Sequence, residues 1–237
     1  MMWQAVLDAD IAVLQAINGF VGYSPRFDHA VVELVDFSFF KSAWLIAVLW
    51  WAWYRFDSAR RADLLQSLFG LFAAVFIARA LQTFLPLNER PIHVAALGLK
   101  LAAGINSGTL RSWHSFPSDH AVLFFGLTAI MWRIKPAIGV VSFLWALTIV
   151  CLPRVYLGFH YPTDILGGAM IGVGVIYISH FATGRLAHRV LDFERTSPQV
   201  FYPTAFLLIF EMGMLFSNVR RLGGETLDLL HQVVASI

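Results

Sequence analysis

The chain has a single cysteine, Cys151, and little charge: 14% of its 237 residues are Asp, Glu, Lys or Arg. One cysteine cannot close an internal disulfide, and it excludes a zinc site built on several thiolates. A soluble domain ordinarily carries about a quarter charged residues, so the deficit argues against one. The net charge of +2 comes from scattered cations without the basic stripe that nucleic acid requires. Carboxylates nowhere cluster in the pattern of a divalent-metal site, and no internal repeat or low-complexity tract is visible.

What the chain has is apolar surface. Hydrophobic residues make up 58%, with eight Trp and 21 Phe, and the mean hydropathy is +0.68. Aromatic residues in such number fit lipid-facing and interfacial belts. At about 20 residues per span, the length suits one integral membrane domain, residues 1–237, of about five to seven helices.

Residues 1–21 lack the basic region and cleavage site of a secretory signal. Val6, Leu7, Ile11, Leu14 and Ile17 fall at helical spacing, which predicts an amphipathic helix on the membrane surface; a soluble cap fits the same pattern. After a break at Gly22, Ser24 and Pro25, the first expected span lies somewhere within residues 30–54 (densest at 43–54), and the others are 64–85, 121–132, 137–152, 163–183 and 200–219. A charged turn covers 55–63, a glycine-bearing connection 92–115, and a polar segment 184–198. The reading is all-α: a polytopic bundle of about six transmembrane helices with an N-terminal amphipathic helix.

Polar residues gather at the span ends. Arg90 follows the second span, Ser118 and His120 open the third, Arg154 closes the fourth, and His160 and Asp164 precede and open the fifth. An alternating up-down path brings all of them to one face. The turns of the other face hold Arg55, Arg60, Arg61, Arg133, Lys135, Arg185, Arg189 and Arg195. The cluster face holds Arg90, Lys100, Arg111 and Arg154. Because basic residues concentrate in cytoplasmic loops, the cluster is expected to face the periplasm or exterior of a bacterial inner membrane. Arg220 and Arg221 weigh against this.

Two arginines, a serine hydroxyl and helix N-termini suit a tetrahedral oxyanion such as phosphate. A histidine beside a carboxylate, as in His160 and Asp164 four residues apart, suits a nucleophile whose cation is stabilised. A second histidine, His120, can protonate a leaving oxygen. Without a carboxylate cluster, phosphoryl transfer would rest on arginines and histidines, with no metal and no cofactor.

Arg90-Pro91, then Pro117-Ser118-x-His120, then Arg154-x5-His160-x3-Asp164 resembles the three-block signature of the type 2 phosphatidic acid phosphatase superfamily. The motif-bearing part is about residues 60–185, roughly half the chain. The resemblance implies a multi-span, metal-independent lipid phosphatase working through a phosphohistidine. His160 would be the nucleophile, Asp164 its partner and His120 the general acid, with Arg90, Ser118 and Arg154 on the phosphate. Three positions depart from the family's usual pattern. Its first-block lysine is Thr83 here, and Arg79, one helical turn earlier, is the candidate phosphate-binding replacement. Its usual glycine before the second-block histidine is Asp119, and its usual serine before the third-block arginine is Pro153. The Phe-Pro-Ser-Asp-His and His-Tyr-Pro-x-Asp forms look like the bacterial undecaprenyl-diphosphate phosphatase branch.

Each residue also has a plainer reading. Either histidine alone could be interfacial, and Arg-Pro often marks only a turn. Arg79 could pair with a neighbour, and Glu211 with His180 or Arg79. Arg111 and His114 could touch a head group or merely lie on the surface. Cys151, Gly167 and Gly168 fit close helix packing. The joint pattern favours hydrolysis of a lipid phosphate, with a polyprenyl diphosphate preferred. Phosphatidic acid, phosphatidylglycerol phosphate and lipid A phosphate are the rival substrates. A lipid-to-lipid phosphotransferase and a non-catalytic lipid-binding or transport protein are the rival classes.

Overall fold

The computed structural model describes residues 2–85, 89–106, 108–110 and 114–217, with side chains from Gln4 onward. Its helices are α1 (Met2–Asn18), α2 (Pro25–Asp36), α3 (Ser38–Arg55), α4 (Ser58–Phe84), α5 (Asp119–Ile134), α6 (Pro136–Trp145), α7 (Leu152–Tyr156), α8 (Pro162–Ala182), α9 (Gly184–Thr196) and α10 (Pro198–Gly213). The expected all-α architecture is the observed one. Among the described residues, three rods are long and apolar enough to cross a membrane: Ser58–Phe84, Pro136–Tyr156 and Pro162–Ala182. They carry the expected second, fourth and fifth spans. The other three fall on shorter helices, α3 of 18 residues and α5 and α10 of 16 each.

α5 is the axis of the bundle. Every residue from Ala121 to Met131 is buried, as expected of a helix hydrophobic all round rather than on one stripe. α4, α6 and α8 pack around it. α8 comes closest, because glycines line its contact: a Cβ on Gly168 would lie 2.6 Å from the Ser118 carbonyl oxygen, and one on Gly172 2.2 Å from that of Val122. Small residues admit such backbone approach in membrane bundles. The consequence is local to the site. The Ser118 N–H donates to the Asp164 carbonyl oxygen at 3.2 Å, tying the start of α5 to that of α8.

Two segments show detail that the sequence did not. Within residues 30–54 the chain breaks at Phe37 (φ −81°, ψ 73°) between α2 and α3, so the densest apolar part falls on α3. Lys41 explains the break. Its fully buried ammonium folds back to the Val35 carbonyl oxygen, satisfying one of the last carbonyls of α2. The polar segment 184–198 contains the helix α9, which buries Ala187, Leu191 and Glu194. Arg61 bridges Trp53, Phe56 and Glu194 there, pinning α9 to α3 and α4.

The N-terminal helix forms as the spacing predicts, but it docks on the bundle. Leu14 is fully buried. Asn18 donates to the carbonyls of Tyr156 (2.9 Å) and Lys100 (3.1 Å) and accepts from the Lys100 N–H. Asp10 accepts from the Thr163 N–H at 2.9 Å and its hydroxyl at 2.6 Å, capping the first turn of α8 from another helix. Gly98 ends a short 3-10 turn in the left-handed region (φ 60°), within the connection between α4 and α5. Arg111, Arg220, Arg221 and residues 218–219 of the expected sixth span lie outside the described residues.

Candidate active site

All seven residues singled out above lie at one end of the bundle. Arg79 comes from the last turns of α4 and Arg90 from the loop beyond it. Ser118 caps α5 and His120 sits in its first turn; Arg154 is on α7, His160 follows that helix, and Asp164 is in the first turn of α8. Ser118, Arg154, Asp164, His160 and Arg90 are between 0% and 5% exposed. So many buried polar groups have no packing use; intramembrane ionisable groups mark functional sites.

His160 is held in one tautomer. Its Nδ1 lies 2.9 Å from the Ser115 carbonyl oxygen, an acceptor only, so that nitrogen carries the proton. Nε2 is then left with its lone pair, and the Arg90 guanidinium meets it at 3.2 Å. Arg90 is fixed in turn by the carbonyls of Phe159 (2.8 Å) and His114 (3.2 Å). Burial lowers the His160 pKa below the ordinary 6.5, with the hydrogen bond to Asp164 acting in the other direction. Burial likewise lowers the Arg90 pKa, while Asp119 and Asp164 favour its cation.

Asp164 stands 3.5 Å from His160 Nδ1. Its Oδ2 also accepts from the Tyr161 N–H at 2.8 Å, reaching back over the helix start. The nearer partner of the ring is therefore the Ser115 carbonyl, with Asp164 the more distant one. Its other oxygen, Oδ1, is buried without a hydrogen-bond partner among the described residues. Ser115 could not be found from the sequence, because a backbone carbonyl leaves no residue signature.

The second histidine is paired differently. Asp119 Oδ1 lies 2.8 Å from both the His120 N–H and His120 Nδ1. Asp119 Oδ2 pairs with Arg79 at 2.5 Å. Arg79 also donates to Gln82 at 3.0 Å, and the Gln82 amide donates to the Pro117 carbonyl at 2.7 Å. Thr83 turns away: it is exposed, and its hydroxyl bonds back to the Arg79 carbonyl. Ser118 Oγ receives the Ala121 N–H at 3.5 Å, a loose cap that leaves the hydroxyl proton free to meet an anion.

Arg154 is aimed by an irregularity of the helix. Residues Ala146–Cys151 form a π-helical stretch in which the Leu152 N–H reaches back to the Leu147 carbonyl. Pro153, with no N–H to give and a ring that crowds the preceding turn, follows directly. Widening the turn accommodates it, and such π-bulges recur at functional sites. Arg154 Nη1 makes a 3.4 Å contact with the Val150 carbonyl, and the guanidinium is in electrostatic reach of Asp119, Arg90 and His120.

Among the described residues no three of His, Cys, Asp and Glu are grouped to hold a metal ion. His180 takes other partners than Glu211: Ser67 Oγ at 3.1 Å and, more distantly, Asp63.

Comparison with known proteins points the same way. The chain is 37% identical over 62 residues to the bacitracin transport permease protein BcrC of Bacillus licheniformis, covering 25% of this chain and 29% of that protein. It is 30% identical over 132 residues to the putative undecaprenyl-diphosphatase YbjG of Escherichia coli, covering 54% and 60%. The matches thus span less than two thirds of these relatives' lengths. The fold resembles that of Aquifex aeolicus LpxE, with a TM-score of 0.52 and 21% identity over 71% of this chain and 92% of that one. The model of the PAP2 superfamily matches residues 63–186, which hold every site residue described above, and the chain belongs to that superfamily.

Proposed function

We propose that the protein is a membrane lipid phosphatase that cleaves a polyprenyl diphosphate through a phosphohistidine at His160. The observation that carries this reading is the fixed tautomer of His160. Its Nδ1 proton is committed to the Ser115 carbonyl, and its Nε2 lone pair faces the Arg90 guanidinium, where a phosphate oxygen would displace the resting contact.

In the first step Nε2 attacks the terminal phosphorus. The N–P bond forms and the bridging P–O bond breaks, while His120 delivers its proton to the departing oxygen of the lipid monophosphate. Asp164 stabilises the positive charge on the phosphorylated ring. In the second step water attacks phosphorus and gives a proton to His120. The N–P bond breaks, inorganic phosphate leaves, and both histidines are restored. Arg90, Arg154 and the Ser118 hydroxyl hold the equatorial oxygens, where charge builds up in the transition state. No step needs a metal.

The hydrocarbon has a place beside this chemistry. An apolar groove between α1 and α8, lined by Val6, Ala9, Val13, Pro162 and Leu166, opens next to Thr163. Its contents would be continuous with the bilayer, and its lining by Thr163, the chain neighbour of Asp164, suits a lipid substrate. The arginines at the opposite end, including Arg61, Arg133 and Arg195, support an outward-facing site in the inner membrane.

Purified protein should release inorganic phosphate from polyprenyl diphosphates faster than from glycerophospholipid phosphates, with and without EDTA. Loss of activity in EDTA would overturn the metal-free mechanism. His160→Ala should abolish turnover; full turnover in that variant would remove the phosphohistidine. One relative is named a transport permease, and transport is the rival reading. A transporter would keep its function in His160→Ala, and a phosphotransferase would release little inorganic phosphate with or without an acceptor lipid, the phosphoryl group appearing on the acceptor instead.

A further inference from the structure

We propose that Asp119 is a positioning residue for His120, and that Arg79 anchors Asp119 instead of binding the substrate phosphate. The inference rests on the reading of His120 as the proton donor and assigns the machinery behind it.

Asp119 Oδ1 takes both the backbone N–H and Nδ1 of His120, each at 2.8 Å, so the ring is clamped by the residue that precedes it. Nδ1 facing a carboxylate carries a proton. The transferable proton is therefore on Nε2, the ring's other end. After that proton leaves, the neutral ring keeps its Nδ1–H on Asp119 and needs no rearrangement before water's proton returns to Nε2. Burial of the ring, then the charges of Arg154 and Lys41, oppose its cation, and Asp119 acts against them. Asp119 is the one group in that set that favours a protonated ring, by charge and by hydrogen bond.

A carboxylate 7% exposed beside an apolar helix is costly unless paired. Arg79 supplies the pair at 2.5 Å, and Gln82 links Arg79 to the Pro117 carbonyl, just before the helix that carries His120. One turn of α4 thus fixes both the charge and the backbone of the acid. With its guanidinium on Asp119 and Gln82, Arg79 points at the acid and not at the oxyanion held by Arg90. Two departures from the family's usual pattern, the aspartate at 119 and the absent lysine at 83, become one device: the new anion and a cation one turn from the vacated position neutralise each other.

The test compares two substrates on each preparation: an alkyl monophosphate lipid, whose alkoxide needs a proton to leave, and an activated aryl phosphate, whose phenolate does not. Asp119→Asn should slow the alkyl ester about 100-fold while changing the aryl phosphate by less than about threefold. The ratio cancels any loss of folded protein. Arg79→Gln should show the same leaving-group dependence in kcat, with KM little changed. The double variant Asp119→Asn/His120→Asn should be no slower than His120→Asn alone.

Equal losses on both substrates in Asp119→Asn would overturn the proposal. A rise in KM for both substrates in Arg79→Gln would return Arg79 to the phosphate. If His120→Asn itself shows no leaving-group dependence, the proton-donor reading fails first. If His120→Asn shows it and Asp119→Asn does not, only the present inference falls.

Discussion

Replacing Asp164 by Asn separates charge from geometry at the nucleophile. The His160 tautomer is set by the Ser115 carbonyl at 2.9 Å and survives the change. An Asn oxygen can still accept from the Tyr161 N–H. What disappears is a negative charge 3.5 Å from a ring that becomes cationic when phosphorylated. At that distance and an effective dielectric of about 20, the interaction is about 5 kcal/mol, or roughly three orders of magnitude in rate. Arg90 and the bound phosphate share the field, so the expected fall in kcat is about 100- to 1000-fold. Stability should move the other way. Asp164 Oδ1 is buried without a partner among the described residues, and removing the charge relieves its desolvation. Single-turnover phosphate release and the Tm in detergent, measured on one preparation, check both. A rate within tenfold of the unmodified protein, or a Tm that falls with the rate, would refute the reasoning.

Other consequences concern packing and pH. Gly172→Ala places a Cβ 2.2 Å from the Val122 carbonyl oxygen, so α5 and α8 must separate; overpacking of this kind costs about 1–3 kcal/mol. The variant should lower Tm and activity together, whereas Gly174→Ala, with nothing within 4 Å, should change neither. Because burial holds the His160 pKa below 6.5, its nucleophilic neutral form persists into mild acid. The acidic limb of kcat/KM should therefore have its midpoint below 6.5, activity falling only as pH drops past it; a midpoint at or above that value contradicts the burial. Asp10→Ala removes the cap that α1 places on α8 and should cost about 1 kcal/mol of stability. Limited proteolysis should then cut α1 faster than in the unmodified protein.

Much of the site was legible because it is made of span ends. Apolar run lengths fix where a membrane helix can stop, and alternation then decides which ends meet. Arg90, Ser118, Arg154, His160 and Asp164 could be assigned to one face before any contact was known. The parts that escaped have no such signature. Nothing in the sequence marks Lys41, yet its ammonium reaches back to the Val35 carbonyl between α2 and α3. Ser115 acts through its backbone. Asp10 reads as the polar face of a surface helix, whereas a long-range hydrogen bond makes it part of α8. Periodicity reports which face is apolar and says nothing of which partner a lone polar group will find.

The departures from the family's usual pattern are the instructive case. Read singly, Thr83, Asp119 and Pro153 each look like a weakened motif. In the folded chain each is answered nearby. Asp119 has Arg79, the vacancy at 83 points outward, and Pro153 follows a π turn that absorbs its missing N–H. In this chain the local charge balance and the direction of Arg154 are therefore supplied by residues other than the family's usual ones. Substituting Asp119 by glycine alone would restore the family's usual residue and still strand Arg79 as a cation without its carboxylate. A return to the usual pattern has to move as a pair, with the positive charge shifted from 79 to 83 at the same time as the negative charge is removed.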